Sequence, residues 1–454
     1  MSVDLRNFIQ INLKYFQTKA LNRTRDTAVL VSIDSSVKVN ATYTYYDEYK
    51  AAVASSALDK YVDCFFKNGG IKLHIVGNCD VDGKKYEVWD GTSWSDPSDT
   101  KPSTGTEITV NDGDYYLVDT TYYIWSATDM KWSSSETAGS GKSLTLSSGN
   151  WFEFTDSSEL VDWIYNQVVA LPYTEIIITS DCSEEIMREV QKKTTIVNLI
   201  PNPISNNSTI TELSGYKEKM YITSTNDSSL TFSAQEAASL TNYIIKYGDK
   251  GVEMAAAAYL TQVNINSSKT IADYCYTIED LSMFDNSVIN DNDLVVALSN
   301  KHFNVDTTLV EATRNVMGDT IAGLDMMNYY IHIILTQTLT ERIMSVLASK
   351  IKYDKSGVNK VINSMIQELD IYKNNGYLSI DDIWTEDDLY YTFNGVDYLV
   401  CKRNTPLTTG YKITILPLSS LTTEQKQMHV FPPIYVLISD SISIRQIVIS
   451  GDIY

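Results

Sequence analysis

Residues 137–143, which read TAGSGKS, are the part of the chain most similar to a phosphate-binding loop. Such a loop holds phosphate oxygens on its backbone N–H groups, and its pattern requires a glycine five positions before Gly141. Glu136 stands at that position, and no buried strand leads into the segment. We therefore predict a flexible hairpin loop here and no nucleotide site.

A second candidate begins at Asn78, where oxygen-bearing side chains follow the spacing of a calcium-binding loop. Asn78, Asp80 and Asp82 match its first, third and fifth positions, and Gly83 matches its sixth. The loop also requires a bidentate glutamate as its last ligand, but Trp89 stands there. A turn between two domains explains the same residues, so we predict no metal site.

Neither the acidic clusters nor the histidines form a catalytic pattern. The acidic runs at 381–382 and 386–388 are typical of solvated surface charge, although they could also meet basic surfaces of partner subunits. Dispersed residues can assemble a catalytic site, but no motif here favours an enzyme, and we predict no catalytic residue and no cofactor. No histidine lies in a paired metal-binding motif or beside a nucleophile signature. The four histidines are His74, His302, His332 and His429.

Composition limits the classes of protein that remain. The 454 residues suffice for two or three domains with separate cores. With 36 basic and 57 acidic residues the net charge is -21, which disfavours a nucleic-acid-binding surface. No signal peptide or membrane-spanning run is visible, and the five cysteines lack disulfide or CxxC spacing. We therefore expect a reduced protein made in a cytoplasm.

The first predicted element is a strand within residues 1–20, in which apolar and polar residues alternate. Ile9, Ile11, Leu13 and Tyr15 share one face of this strand, and Phe8 lies on the other. A polar linker follows it. We interpret residues 1–20 as a terminal strand outside the first domain.

Residues 21–78 predict the first part of an α/β domain. The apolar run AVLVSI is followed by a helix whose apolar face begins at Leu58 and which ends at Gly69 and Gly70. A strand over 71–76 comes next, with apolar and polar residues alternating along it.

Residues 79–153 differ sharply in composition and predict a small inserted β domain. Two segments, YEVWDGTSW at 86–94 and YYIWSATDMKW at 122–132, each read as a strand, a turn and a closing tryptophan. The tryptophans either form the core of a domain too small to close otherwise or bind carbohydrate at its surface. The aromatic residues available for surface binding are Trp89, Trp94, Trp125 and Trp132.

The α/β pattern resumes over residues 154–306 and predicts a mainly parallel or mixed sheet covered by helices. Ser233 and Glu236 have the spacing of a capping box, and we predict that the helix they open runs to Gly248.

Residues 307–440 predict a C-terminal α+β domain. Its pattern indicates two long helices, over 324–349 and 356–375, which could cover one face of a sheet. Strands are predicted near 389–400, 411–416 and 434–439.

The chain ends in a second alternating strand, within residues 441–454. Ile442, Ile444, Ile447 and Ile449 are interleaved there with polar residues such as Arg445. A strand in this position needs a partner, because unpaired edges invite association with another chain. The pattern indicates a subunit that works by joining its neighbours.

The ordered set of these segments resembles the contractile-tail sheath subunits of tailed bacteriophages. The resemblance implies a two-layer α/β core with domains inserted outward, and it implies that residues 8–15 and 442–449 are arm strands that add to sheets of adjacent subunits. It covers about half of the chain and lies in NFIQINLKYFQTKALNRTRDTAVLV, SALDKYVDCFFKNGGIKLHIV, KIKYDKSGVNKVINSMIQELDIYKNNGYL, GYKITILPLSSL and FPPIYVLISDSISIRQIVISGDI.

The same resemblance implies a structural virion protein that stacks as hexameric rings around a tail tube and contracts to drive the tube through the host envelope. Its implied partners are further copies of the chain, the tail tube protein, and the baseplate and tail terminator proteins, with no direct nucleic-acid binding and no membrane insertion. It would be assembled in the host cytoplasm and reside in the phage tail. The alternatives are a baseplate or host-binding tail protein with a glycan-binding Trp-rich module, and an enzyme with a dispersed site.

Overall fold

The structure is a computed structural model that describes residues 25–441 apart from 54–55, 128–129, 172–175, 180–181, 195–196, 201–212, 214, 218, 267–272 and 350. Its architecture is mixed α/β and multidomain, with one large sheet and several small ones, which confirms the predicted fold class. No helix of the described residues combines the length and the apolar character needed to cross a membrane.

Most strands are short and belong to small sheets outside the large one. They are β1 (Thr27–Val31), β2 (Asn40–Tyr43), β3 (Lys72–Val76), β4 (Lys84–Val88), β5 (Thr106–Glu107), β6 (Tyr115–Val118), β7 (Thr121–Ser126), β8 (Lys131–Ser135), β9 (Asn150–Thr155), β10 (Ile176–Thr179), β11 (Val197–Ile200), β12 (Tyr221–Thr225), β13 (Tyr243–Tyr247), β14 (Asp306–Leu309), β15 (Ala312–Asn315), β16 (Asp382–Trp384), β17 (Leu389–Phe393), β18 (Val396–Cys401), β19 (Thr405–Leu407), β20 (Tyr411–Ile415) and β21 (Ile434–Ile438).

Helices lie on both sides of the large sheet and in the C-terminal region. They are α1 (Tyr46–Ala52), α2 (Asp59–Lys67), α3 (Ser157–Val169), α4 (Glu184–Lys193), α5 (Ala234–Ser239), α6 (Glu253–Thr261), α7 (Asn292–Ser299), α8 (Met326–Ala348), α9 (Lys355–Asn374) and α10 (Thr423–Gln427).

Seven strands form the large sheet, in the order β13-β12-β11-β10-β1-β3-β2. Neighbouring strands are parallel except for the edge pair β2 and β3. The interior strand β1 is an apolar run with four of its five residues buried, as expected of a parallel strand covered on both faces. The predicted mainly parallel sheet is confirmed.

Helices cover both faces of this sheet, because successive residues of a strand point to opposite sides. Ala28 and Leu30 join one apolar core with α2, α6 and α8. Val29 and Val31 join a second core with α3 and α4. The sheet therefore lies between two helical layers. The core thus has three layers, whereas the resemblance implied a two-layer core.

Helix α6 is buried along its whole length within the first of these cores. Every residue of EMAAAAYLT is buried, including Glu253 in its first turn. The four alanines allow close packing against α2, which would be impossible for larger side chains. Sequence reasoning missed this helix because an element that is apolar all round has no 3.6-residue period.

The helix predicted from Ser233 to Gly248 is wrong in its extent. Ser233 and Glu236 do form a capping box, but the helix they open ends at Ser239. Residues Tyr243–Tyr247 instead form β13, and all five are buried. Aromatic and β-branched side chains buried on both faces favour a strand, and this preference overrides the capping signal upstream.

The Trp-rich β unit (residues 84–155) leaves the large sheet after β3 and returns to it before α3. Its first and last strands, β4 and β9, are antiparallel partners. In the hairpin of β7 and β8, Trp125 stands opposite Trp132, and a bridge joins Trp89 to Trp94. Both sequence segments therefore have the predicted strand, turn and closing tryptophan.

The C-terminal region contains the predicted pair of long helices, α8 and α9. Arg342 on α8 pairs with the buried Glu368 on α9, with Nε 3.2 Å from Oε2. The hydroxyls of Thr338 and Tyr372 lie 3.1 Å apart between the same helices. These polar contacts help to fix the register of the two helices.

Candidate assembly surface

Strands β20 and β21 form an antiparallel hairpin that ends just before the last described residue. Tyr411 pairs with Ile438, and Ile415 with Ile434. In the part of the chain that the structure describes, each of these strands pairs only with the other, so each has one edge that no described strand occupies. An edge of this kind offers backbone N–H and C=O groups to a strand from another chain.

One face of the hairpin rests on the helix pair. Ile413 and Val436 lie on this face and pack against apolar residues of α8 and α9. Ile434, on the same face of β21, joins the cluster formed by Ile343, Val361 and Met365. The helix pair therefore fixes the orientation of the hairpin. The prediction that two helices cover one face of a C-terminal sheet holds for this hairpin only, because the strand predicted near 389–400 is two strands, β17 and β18, in a separate sheet.

The chain is held where it leaves the hairpin, at a C-terminal anchor formed by residues 439–440. The Ser439 N–H donates to Gly410 O, and Ser439 O accepts from the Ser379 N–H, both at 2.8 Å. Asp440 forms a bridge with Leu378, and its Oδ1 lies 2.6 Å from Nε2 of His332 on α8. The anchor thus ties the start of the C-terminal segment to the helix pair.

Sequence reasoning did not connect His332 with Asp440, because 108 positions separate them and neither lies in a motif. Both side chains are about one-third exposed, so the pair contributes at most about 1 kcal/mol to stability. It acts as a positional contact for the anchor rather than as a major source of stability.

The predicted arm residues lie outside the described residues, and their role as interface residues stays a prediction. They are Phe8, Ile9, Ile11, Leu13, Tyr15, Ile442, Ile444, Ile447 and Ile449.

Two of the four aromatic residues predicted for surface binding are in the interior of the Trp-rich β unit. Trp125 is 2% exposed and Trp89 is 5% exposed, so neither ring can present its face to a ligand. The Trp125 ring lies 5.0 Å from that of Phe152, which is also buried, and such ring contacts form the core of this small unit. Trp94 and Trp132 are half-buried and stack on each other with ring centroids 5.6 Å apart.

A buried carboxylate occupies the loop that is similar to a phosphate-binding loop. Asp114 Oδ1 accepts a hydrogen bond from the Lys142 N–H at 2.6 Å, and the Gly141 N–H donates to Gly113 O at 2.9 Å. A bound phosphate would need these same N–H groups, and the Asp114 carboxylate would repel it. The loop between β8 and β9 is therefore a closed structural turn. The predicted flexible hairpin loop is wrong in form, because β8 and β9 belong to different sheets and the loop is held by hydrogen bonds.

The residues that match the start of a calcium-binding loop form a turn in the structure. Asp82 Oδ1 accepts from the Lys84 N–H at 3.0 Å, and Asn78 has a φ of 59°, which asparagine tolerates better than most residues. Within the described ranges, no group of three histidine, cysteine, aspartate or glutamate side chains could hold a metal ion. The five cysteines are free thiols.

Comparison with known proteins finds distant similarity among solved structures. No protein-family model matches this sequence, and no curated protein matches it. A solved structure with detectable similarity is that of a sheath tail protein from Desulfitobacterium hafniense, with 8% sequence identity and a TM-score of 0.42. The alignment covers 82% of this chain and 91% of that protein. Similarity of this degree establishes neither family membership nor function.

Replacing Tyr411 by phenylalanine is expected to loosen the hairpin from α9. The Tyr411 hydroxyl donates to Asp370 Oδ1 at 3.0 Å, and burial together with this carboxylate raises the pKa of Tyr411 to about 12. Loss of the hydrogen bond should lower the free energy of unfolding by about 1 kcal/mol, measured by urea denaturation. Tyr390→Phe, at an exposed position of β17, is the control, and equal stability of the two variants would contradict the prediction.

Proposed function

We propose that this protein is a contractile tail sheath subunit of a bacteriophage. The observation that carries the proposal is the C-terminal hairpin, which has unoccupied strand edges and is fixed on a helix pair. It stands where the chain enters an isoleucine-rich segment of alternating pattern. The sequence resemblance described above supports the same function.

Assembly in this proposal proceeds by strand addition between copies of the chain. Backbone hydrogen bonds of an added strand provide adhesion, and alternating apolar side chains select its face and register. The receiving edge would be that of β20 or β21, and the donated strand would be residues 442–449 or 8–15 of a neighbour. The C-terminal anchor gives the donated segment a defined starting point on its own subunit.

Contraction in this proposal needs no catalytic site. Donated strands would keep neighbours attached while the globular bodies move past one another, so that stacked rings shorten without separating. The free energy would come from contacts that are better buried in the contracted packing than in the extended one. The tail tube, baseplate and tail terminator proteins would be the partners, and the Trp-rich β unit would lie on the outside of the assembly.

The proposal is tested by electron microscopy of the purified full-length protein and of a variant lacking residues 442–454. We expect rings or tubes from the full-length protein and dispersed monomers from the variant, since the donated strand is missing. A variant lacking only residues 452–454 is the matched control, because it keeps the isoleucine-rich segment, and it should still assemble.

Assembly that continues without residues 442–454 would contradict the C-terminal arm. If the full-length protein never polymerises but binds specific sugars on a glycan array, the alternative of a host-binding tail protein is favoured instead. The half-buried Trp94 and Trp132 would then be the first residues to replace.

A further inference from the structure

A lysine and two carboxylic acids meet in the interior of the protein, away from the assembly surface. Lys246 lies on β13, the edge strand of the large sheet, and Asp306 begins β14. Lys246 Nζ is 2.6 Å from Asp306 Oδ2 and 2.7 Å from Glu279 Oε2. None of these three side chains is more than 1% exposed, so water does not screen their interactions.

Tyr274 completes this cluster. Its hydroxyl accepts a hydrogen bond from Lys246 Nζ at 3.2 Å and donates one to Glu279 Oε1, and its ring is also buried. The other oxygen of Glu279, Oε2, faces Lys246 Nζ at 2.7 Å. Glu279 Oε2 and both oxygens of Asp306 receive no hydrogen bond of suitable angle, although Nζ is within contact distance of Oε2 and of one Asp306 oxygen.

The charge of the cluster is unbalanced if all three groups ionise. One ammonium and two carboxylates leave a net negative charge in a medium where isolated charges are costly. Burial and the adjacent Asp306 carboxylate raise the pKa of Glu279, which favours its neutral acid form. Burial lowers the pKa of Lys246, but the Asp306 and Glu279 carboxylates raise it further, so Lys246 is an ammonium that becomes a nucleophile only after it gives up a proton.

We propose that Lys246 and Asp306 form an intramolecular isopeptide bond, with Glu279 as the proton shuttle. The chemistry is a condensation between an amine and a carboxylic acid. In water this reaction is unfavourable, but here the amine and the carboxyl group are held in contact at a site from which solvent is excluded. No oxidant, nucleotide or second protein is required.

The protons and bonds of the reaction balance as follows. The Lys246 ammonium passes one proton to the Asp306 carboxylate, which leaves a neutral amine and a neutral acid. Nζ attacks Cγ of Asp306, and Glu279 gives its proton to the Asp306 carbonyl oxygen and takes one from Nζ. Glu279 then protonates one hydroxyl, which leaves as water when its C–O bond breaks. The remaining hydroxyl returns the proton to Glu279 as the carbonyl re-forms.

The bond would join the edge strand of the large sheet to the first strand of the small β14–β15 sheet. A backbone bridge already joins Lys246 to Asn304, which lies two residues before β14. A covalent link at this place would prevent the edge of the large sheet from peeling away when force is applied to the subunit. It is independent of the proposed function, because any folded copy of the chain contains the cluster.

The proposal is tested by the intact mass of the denatured full-length protein. We expect a mass lower than the sequence mass by one water molecule, and a proteolytic fragment in which the segments containing Lys246 and Asp306 remain joined. A protein with the full sequence mass would overturn the proposal. A loss of water that maps to any other pair of residues would overturn it as well.

Three variants separate the roles of the residues. Lys246→Arg and Glu279→Gln should have the full sequence mass, because the first lacks the nucleophile and the second lacks the shuttle. Asp306→Asn should lose ammonia in place of water if the amide carbon is attacked. Glu311→Gln, at an exposed position, is the matched control and should keep the loss of water. Retention of that loss in Glu279→Gln would overturn the role given to Glu279.

Discussion

Replacing Trp125 by alanine is expected to unfold the Trp-rich β unit while the large parallel sheet stays folded. The Trp125 ring is 2% exposed and lies within 5.4 Å of the rings of Trp132, Phe152 and Phe154. Truncation of a buried aromatic residue removes its contacts and leaves a cavity, which costs about 3–5 kcal/mol. A small unit with a single aromatic core cannot absorb a loss of this size.

Hydrogen exchange measured by mass spectrometry checks this prediction. Backbone amides of β7, β8 and β9 should exchange fast in the variant, while those of β1 and β10 keep their protection. Leu117→Ala is the control, since this residue of β6 in the same unit is 52% exposed and should cost little. Equal protection of the unit in both variants would show that the tryptophans are not its core.

Replacing Glu253 by glutamine is expected to remove a large part of the pH dependence of stability. Glu253 is fully buried at the start of α6, and burial raises its pKa from 4.5 to about 7. Its Oε2 accepts a hydrogen bond from the Gly251 N–H at 3.0 Å, which a glutamine side-chain oxygen can also accept. The variant therefore keeps the shape and this contact but cannot ionise.

The direction of the effect follows from the binding of protons. Between about pH 4.5 and 7 the folded protein holds a proton on Glu253 that the unfolded chain has released, so stability falls as the pH rises through this range. The shift corresponds to about 3 kcal/mol. Glu253→Gln should therefore have a higher free energy of unfolding than the unmodified protein. The difference between the two proteins should grow by about 3 kcal/mol from pH 4.5 to pH 7.

Urea denaturation at a series of pH values measures this margin. Glu311→Gln, an exposed position whose carboxylate is solvated in both states, is the control and should follow the unmodified protein at every pH. A constant difference between Glu253→Gln and the unmodified protein would mean that the Glu253 carboxyl is not protonated in the fold.

Local patterns in the sequence predicted the elements that have one apolar and one polar face. Helices α8 and α9, strands β20 and β21 and the tryptophan hairpins all agree with the structure, because amphipathic periodicity and turn chemistry are properties of neighbouring residues. The buried elements α6, β12 and β13 were missed or misassigned, since burial on every side removes the period that distinguishes a helix from a strand.

Contacts between distant parts of the chain could not be predicted from the same patterns. Lys246, Glu279 and Asp306 each stand in unremarkable segments, and only the fold brings their charges together. His332 and Asp440 meet for the same reason. The candidate assembly surface was predicted in part, because the hairpin has a local signature, whereas the anchor that positions it depends on tertiary contacts.

The pairing of β4 with β9 affects which parts of this protein can be exchanged without disturbing the large sheet. The two ends of the Trp-rich β unit lie side by side, and the Asp156 N–H donates directly to Gly83 O at 2.7 Å. A unit with adjacent ends behaves as an exchangeable cassette, because its removal leaves a gap that a single turn can close. The Trp-rich β unit can thus be replaced by another module while the strand order of the large sheet is preserved.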